Sequence, residues 1–300
     1  MDNSSSLIKA EAFRLGFDAC GIAKADFVGE HAAYLRNWME KDMQAGMSYM
    51  NNHFEKRCNP ALLVENAQSV ISVALNYYPE KKQPEELPQI AYFAYGNDYH
   101  PIIRQKLQQL LSFIQENIAP ATGRCFTDSA PVLERYWAVR AGIGFIGKNN
   151  ELIIPQKGSY FLLGELIIDL PFAYDMPVEK NYCGKCTKCI DACPTNALEK
   201  PFRLNAGKCI SYLTIENKGK IDEKYIPLPN KLFGCDICRQ VCPWNRFARP
   251  HANTELMPDI NIINKTRPEW QNMTEEEFSA LTKNSPLKRA GLERLKGNLR

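Results

Sequence analysis

The chain has 300 residues, 45% hydrophobic and 24% charged, a globular composition that excludes disordered and fibrous classes. Its net charge of +3 is too mild to name a partner. The first residues carry no basic and apolar signal-peptide pattern, and no run of about 18 apolar residues predicts a membrane span. Eleven cysteines, eight of them between Cys183 and Cys242, therefore point to metal in a cytoplasmic protein and away from a secreted disulfide scaffold.

Taken in chain order, Ser4 to Ser6 predict the cap of a helix reaching about Leu15, with Gly16 closing it. Phe17 to Ala23 predicts a strand, and residues 30–45 carry helical spacing. Asn59-Pro60 opens a short helix, and Ser69 to Tyr78 reads as a buried strand. Pro79 to Pro88 reads as a surface excursion, followed by a strand from Ile90 to Tyr95. Ile102 to Ile118 is the clearest amphipathic helix, with Ile103, Leu107, Leu110, Leu111 and Ile114 on one face. A short strand at Arg124 to Thr127 and a helix at Val132 to Ala141 follow, then a hairpin of Glu151 to Pro155 with Tyr160 to Asp169. The interleaving predicts an α+β fold, layered like an α/β domain around a central sheet.

From about residue 176 the texture changes to short cysteine-rich turns. The expected organisation is a domain over 1–175, a cluster-binding domain over 176–250 and a basic tail with one or two short helices over 251–300. Charge divides similarly: residues 1–178 hold 16 basic and 20 acidic side chains, residues 179–250 hold 13 and 7, and Lys283 to Arg300 holds six basic residues against Glu293. A polyanion would be felt in the back half.

The cysteines fall in two runs. The first is Cys183-x2-Cys186-x2-Cys189-x3-Cys193-Pro194, and the second is Cys209, a long gap, then Cys235-x2-Cys238-x3-Cys242-Pro243. This is the two-cluster ferredoxin spacing, in which the fourth cysteine of each run ligates the other cluster. Cluster one then takes Cys183, Cys186, Cys189 and Cys242; cluster two takes Cys209, Cys235, Cys238 and Cys193. Zinc is the alternative for paired CxxC motifs, but it does not call for a third cysteine and a Cys-Pro, twice. Cys20, Cys58 and Cys125 read as core residues.

The N-terminal residues are less specific. Ala141 to Lys148 has spaced glycines without P-loop spacing, and suits either a tight helix-to-strand connection or close backbone approach to a cofactor. Asp128-Ser-Ala-Pro131 reads as a helix cap or as a buried acid of raised pKa poised to give up a proton. Tyr95-Gly-Asn-Asp-Tyr-His100 follows an expected strand, where a site could sit, but His100 has no metal-like partner nearby in sequence and reads equally as a loop or core histidine.

In combination these segments, with Asp128-Ser-Ala-Pro-Val-Leu-Glu-Arg135 and with Cys209-Ile-Ser-Tyr-Leu-Thr-Ile-Glu216 between the cysteine runs, resemble the epoxyqueuosine reductase family over nearly the whole chain. The resemblance implies a cobalamin-binding domain fused to a domain with two 4Fe–4S clusters. It implies reduction of epoxyqueuosine to queuosine at the wobble position of tRNA, with an external low-potential electron donor and no membrane. It implies that Asp128 is the proton donor. It places Arg57 and the backbone near Ile153 and Gly164 around the corrin, Ser211, Asp236 and Ile237 on its cluster-facing side, and Glu216 against tRNA. Many relatives continue past Ser285-Pro-Leu-Lys-Arg289 into a helical-repeat extension, which is not expected here. The alternatives are a corrinoid iron–sulfur reductase related to reductive dehalogenases, which usually carry a twin-arginine signal, and a non-catalytic ferredoxin-type electron carrier.

Overall fold

The computed structural model describes residues 3–226 and 228–299; Met1, Asp2, Pro227 and Arg300, the last counted in the basic tail, lie outside them. Four antiparallel strands form the central sheet, in the spatial order Ala19–Lys24, Ser69–Asn76, Phe161–Ile168, Gly123–Phe126. All three pairings are antiparallel, so the fold is α+β. Side chains on a strand alternate between faces, and here both faces are covered. Ile71, Val73 and Leu75 meet the helices Ser4–Arg14 and Tyr99–Asn117, while Val70 and Ala74 meet Trp137 and Ala138 of the helix Glu134–Arg140. That is why Ser69–Asn76 reads as a nearly unbroken apolar run.

The helix Tyr99–Asn117 starts where the Asp98 side chain accepts the His100 N–H. A cap of this kind contributes about 0.5–2 kcal/mol. Ile103, Leu107, Leu110 and Ile114 are completely buried, and each such side chain contributes roughly 1.5–3 kcal/mol. Packing therefore dominates, and the cap chiefly sets where the helix begins. Gly164 lies in the strand this helix covers. A Cβ there would stand 2.6 Å from Ile103 Cγ2 and 3.0 Å from Leu107 Cδ1, so glycine lets the helix lie flat on the sheet.

Several expected elements differ. Ser4 to Ser6 lie inside the first helix, whose N-cap is Asn3 without a side-chain bond. The strand expected at Ile90 to Tyr95 shrinks to Gln89–Ile90 and a 3-10 turn, Tyr92–Ala94. It pairs with Lys231–Phe233, and the Asp236 carboxylate then takes the Tyr92 N–H (2.8 Å), which ends the ladder. The expected hairpin does not form: Leu152–Ile153 pairs with Phe145–Ile146, and Phe161–Ile168 is a central strand with two neighbours. The Pro79 to Pro88 excursion is pinned by buried Gln83. Its amide donates to the carbonyls of Pro88 (3.1 Å) and Ile263 (3.0 Å) and accepts from the Ile90 N–H (2.7 Å).

The largest correction concerns residues 251–299. They form the helices Ile260–Ile263, Arg267–Asn272, Glu275–Leu281 and Leu292–Asn298. Their Trp270, Phe278, Leu287 and Leu295 enter the same core as the sheet and Phe233. Apolar spacing in such short helices is weak, because one or two buried residues per helix cannot outline a face. Among the described residues no helix is long and apolar enough to cross a membrane.

Candidate functional site

A cleft of about 680 Å³ opens between the sheet domain, the cysteine-rich turns and the C-terminal segment. Its apolar floor includes Leu152, Phe161, Leu162 and Leu163, from the central strand and the short strand beside it. Asp128 stands at one side. Its φ of +53° is a left-handed conformation that Asp tolerates better than most residues. The carboxylate of Glu134 accepts the Asp128 N–H at 2.5 Å and holds that conformation. Asp128 is therefore no helix cap: the next helix starts at Glu134, with Leu133 as its N-cap.

The Asp128 side chain belongs to a hydrogen-bonded chain. Tyr99 Oη donates to Asp128 Oδ2 (3.0 Å), His100 Nε2 lies 3.0 Å from the same oxygen, and His100 Nδ1 lies 2.6 Å from Asp98 Oδ1. The electrostatics overturn the expectation of a raised Asp128 pKa. Burial pushes this carboxyl up, but His100 by hydrogen bond and by charge, the Tyr99 hydroxyl and the Arg289 charge hold it below the usual carboxylate value. The hydrogen bond to Asp128, followed by that to Asp98, raises His100 from 6.5 to about 9. At pH 7 the pair thus holds its proton on the imidazole, with both ring nitrogens donating. Next to it are Glu134, which lines the cleft, and the fully buried Glu165. Burial, then the Asp128 charge, raises Glu134 to about 7; burial, then the Glu134 charge, pushes Glu165 up strongly. Glu165 accepts from the Ser72 hydroxyl at 3.1 Å, and its other oxygen is buried without a partner among the described residues.

The opposite wall carries Cys193, Cys209, Cys235 and Cys238, with Ser211, Asp236 and Ile237 beside them. None of the eight cysteines of the two runs is in a disulfide among the described residues. Burial is the main influence raising Cys189, Cys209 and Cys238, and the thiols near each fall into two groups. Cys189 feels Cys242, Cys183 and Cys186; Cys209 feels Cys193; Cys238 feels Cys235 and Cys209 within its surroundings. Cys242 thus neighbours the first run, and Cys193 neighbours Cys209 of the second. Among the described residues no three His, Cys, Asp or Glu close on a single-ion site. A quartet around a cubane needs no such closure, because each thiolate meets a different iron.

Glu216 lies at the cleft mouth, where Arg289 Nη2 is 2.6 Å from Glu216 Oε1 and Arg289 Nη1 is 4.0 Å from Asp128 Oδ2. The segment Lys283 to Arg289 is held there by the Asn284 carbonyl, which accepts the Asp98 N–H at 2.6 Å. Arg57 does not line the cleft. Its Nη2 donates to the Tyr49 carbonyl (3.1 Å), and its Nε is buried without a protein partner. Ile153 and Gly164 are likewise behind the lining, each one residue from a lining position, Leu152 and Leu163.

The sequence left the role of His100 open, because its partners are Asp98, two residues earlier, and Asp128, far along the chain. Sequence reading missed Lys148 and Asn149. Lys148 Nζ donates to the carbonyls of Gly184 (2.7 Å) and Cys186 (2.9 Å), and Asn149 reaches the Cys238 carbonyl at 3.4 Å. The glycines before them serve close backbone packing: a Cβ at Gly144 would stand 2.3 Å from the Ile153 carbonyl oxygen. The tight-connection reading of Ala141 to Lys148 therefore holds.

Two family models match, one described as epoxyqueuosine reductase QueG, DUF1730, over residues 57–129, and one as a 4Fe-4S double cluster binding domain over residues 182–245. An epoxyqueuosine reductase of Cellulophaga algicola is 46% identical over 299 residues, covering 99% of this chain and 97% of that protein. The crystal structure of a selenomethionine-labelled epoxyqueuosine reductase superposes with a TM-score of 0.92 at 31% identity, covering 98% of this chain and 79% of the other. A second, solved with an epoxyqueuosine-modified tRNA-Tyr stem loop, gives a TM-score of 0.89 at 31% identity and the same coverage. With identity at this level sustained over both sequences and a backbone that superposes throughout, the chain belongs to the epoxyqueuosine reductase family.

Proposed function

We propose that this protein reduces the epoxide of epoxyqueuosine in the anticodon loop of tRNA to the alkene of queuosine. The reaction consumes two electrons and two protons and releases one water. One observation carries the assignment: the second cysteine quartet and a proton-holding His100–Asp128 pair line a single cleft. Cobalamin, when bound, supplies a strong two-electron nucleophile for an epoxide carbon, and two 4Fe–4S clusters supply one-electron carriage. The donor set fits both groups. Eight cysteines outside disulfides would hold two clusters, four each, and the cleft between Cys193, Cys209, Cys235, Cys238 and Asp128 offers an apolar floor, a polar rim and, nearby, an Arg57 Nε without a partner among the described residues.

The chain's own residues then have distinct tasks. Cys193, Cys209, Cys235 and Cys238 hold the cluster nearer the reaction, and Ser211, Asp236 and Ile237 shape the cofactor's near wall. Arg57 offers its Nε to the cofactor's polar periphery, while the backbone near Ile153 and Gly164 supports the floor. His100 keeps a proton through neutral pH and passes it through Asp128 to the departing epoxide oxygen. A positioned acid of this kind contributes about 10²–10⁴-fold. Lys283, Lys288 and Arg289 face the anticodon-loop phosphates, and Glu216 meets the RNA beside them. Unstacked loop bases are accessible to a cleft in a way that paired ones are not.

The test is anaerobic reconstitution with iron, sulfide and cobalamin. It is expected to give about eight iron and one cobalt per chain, from the ligand count, and conversion of an epoxyqueuosine stem loop to product lacking one oxygen. A fully loaded protein that leaves the epoxide intact overturns the assignment.

A further inference from the structure

We infer that the loop from Tyr182 to Cys189 is the docking surface for an acidic one-electron carrier protein. The inference rests on the two-cluster reading above. Cys193, Cys209, Cys235 and Cys238 line the cleft, whereas Cys183, Cys186, Cys189 and Cys242 do not. The electron path therefore ends at the second quartet, and the first is its entry.

The entry loop is supported from below and open above. Lys148 Nζ holds the carbonyls of Gly184 and Cys186. Asn181 accepts the Cys183 N–H (2.9 Å) and donates to the Ile146 carbonyl (2.6 Å). On the outside, a Cβ built at Gly184 would have nothing within 4 Å. Tyr182, 45% exposed, packs against Phe145 (ring centroids 5.3 Å apart) and lies 6.1 Å from Trp244. Lys180 stands over the Tyr182 ring, and Lys185 and Lys188 are exposed beside it. None of these three lysines is in an ion pair among the described residues; the neighbouring Asp191 is engaged by the Thr187 hydroxyl at 2.7 Å.

An exposed aromatic under Lys180, one residue from an expected cluster ligand and in a loop that also carries the exposed Lys185 and Lys188 against Glu179 alone, is complementary to a carrier that surrounds its own redox centre with carboxylates. Transient redox encounters bury little surface, commonly under about 1,200 Å², so a few charges dominate their rate and salt dependence. RNA is the other polyanion these lysines could meet. The RNA-facing cations, however, are Lys283, Lys288 and Arg289, which line the cleft with Asp128, while the loop's lysines line none of it. Two carrier molecules each give up one electron per turnover. Those two electrons and two protons cleave the carbon–oxygen bonds and leave alkene and water.

The test compares the reconstituted wild-type protein with Lys185→Glu/Lys188→Glu. The probes are a reduced acidic 2Fe–2S ferredoxin, the small donor methyl viologen radical, and an epoxyqueuosine stem loop. Ferredoxin affinity, measured by interferometry without turnover, is expected to fall at least about tenfold at low salt and to lose most of its salt dependence. Ferredoxin-driven conversion falls with it. Viologen-driven conversion and stem-loop affinity stay within about twofold. If the charge reversal lowers iron content, Lys185→Gln/Lys188→Gln reads the same surface with a smaller effect of the same sign. Unchanged ferredoxin affinity overturns the proposal, as does a loss of stem-loop affinity in its place. Wild-type protein that binds ferredoxin but converts no epoxide even with viologen would instead refute the catalytic reading.

Discussion

Asp128→Asn removes one of the two carboxylates that hold the His100 proton, and its effect can be sized from the site. The rise of His100 from 6.5 to about 9 would correspond to ~3 kcal/mol at the usual 1.4 kcal/mol per pH unit. The side chains are 23% and 45% exposed to the cleft, so solvent screening leaves about 1–2 kcal/mol. The hydrogen bond to Asp128 is the larger of the two supports. Its loss is expected to bring the imidazole midpoint down by at least about one pH unit. The sign follows from the direction of the shift. A histidine raised in the folded state contributes stability that is complete below about 6.5 and is lost as pH climbs through about 9. In the variant that loss comes earlier.

Two measurements check this. The alkaline limb of kcat/KM on a modified stem loop should lie near pH 9 in the wild type and lower in Asp128→Asn, with turnover at pH 7 down at least about a hundredfold. NMR titration of the His100 ring should show the same shift without turnover. Turnover within about threefold of wild type, in a protein loaded with iron and cobalt, would refute the assignment. An unmoved His100 midpoint would refute the electrostatic argument.

Glu165→Gln keeps the acceptor for Ser72 but removes a buried carboxyl that burial pushes up. An acid raised in the folded state stabilises progressively less as pH rises, so the variant's melting temperature should gain on wild type between pH 5 and pH 8; a constant difference would contradict this. Cys193→Ala should lower iron from about eight to about four per chain and spare the quartet of Cys183, Cys186, Cys189 and Cys242, as read by EPR of the remaining cluster. Arg289→Ala removes a cation from the cleft mouth and releases Glu216. Stem-loop affinity should weaken, and its log–log salt slope should become shallower by about 0.7–0.9; an unchanged slope would place Arg289 off the RNA.

The cysteine runs were legible because a cubane needs closely spaced thiolates followed by one that leaves the turn, and that requirement is local. The buried strand Ser69–Asn76 and the helix Tyr99–Asn117 were legible from local pattern too: the helix repeats its apolar positions at the helical period, and the strand, covered on both faces, is a short apolar run. Local pattern failed at Ile90 to Tyr95, where an apolar run is ended by a carboxylate from Asp236, 144 residues away. It failed again in residues 251–299, whose short helices bury one or two side chains each in a core built mostly by the N-terminal half.

The sequence alone thus marked the cysteine-rich stretch that matches a double-cluster domain and predicted that a sheet domain accompanies it. Only the tertiary structure decided where the proton rests. Asp98 and His100 are neighbours, but Asp128 and Arg289 are far from them in the chain, and an apolar period or a ligand spacing says nothing about which charges will share a cleft. Once the folded chain brings a half-buried imidazole between two carboxylates, the proton moves to the imidazole and Asp128 is left ionised. Protonation depends on spatial neighbours at about 3 Å, and those neighbours exist only after the fold has formed.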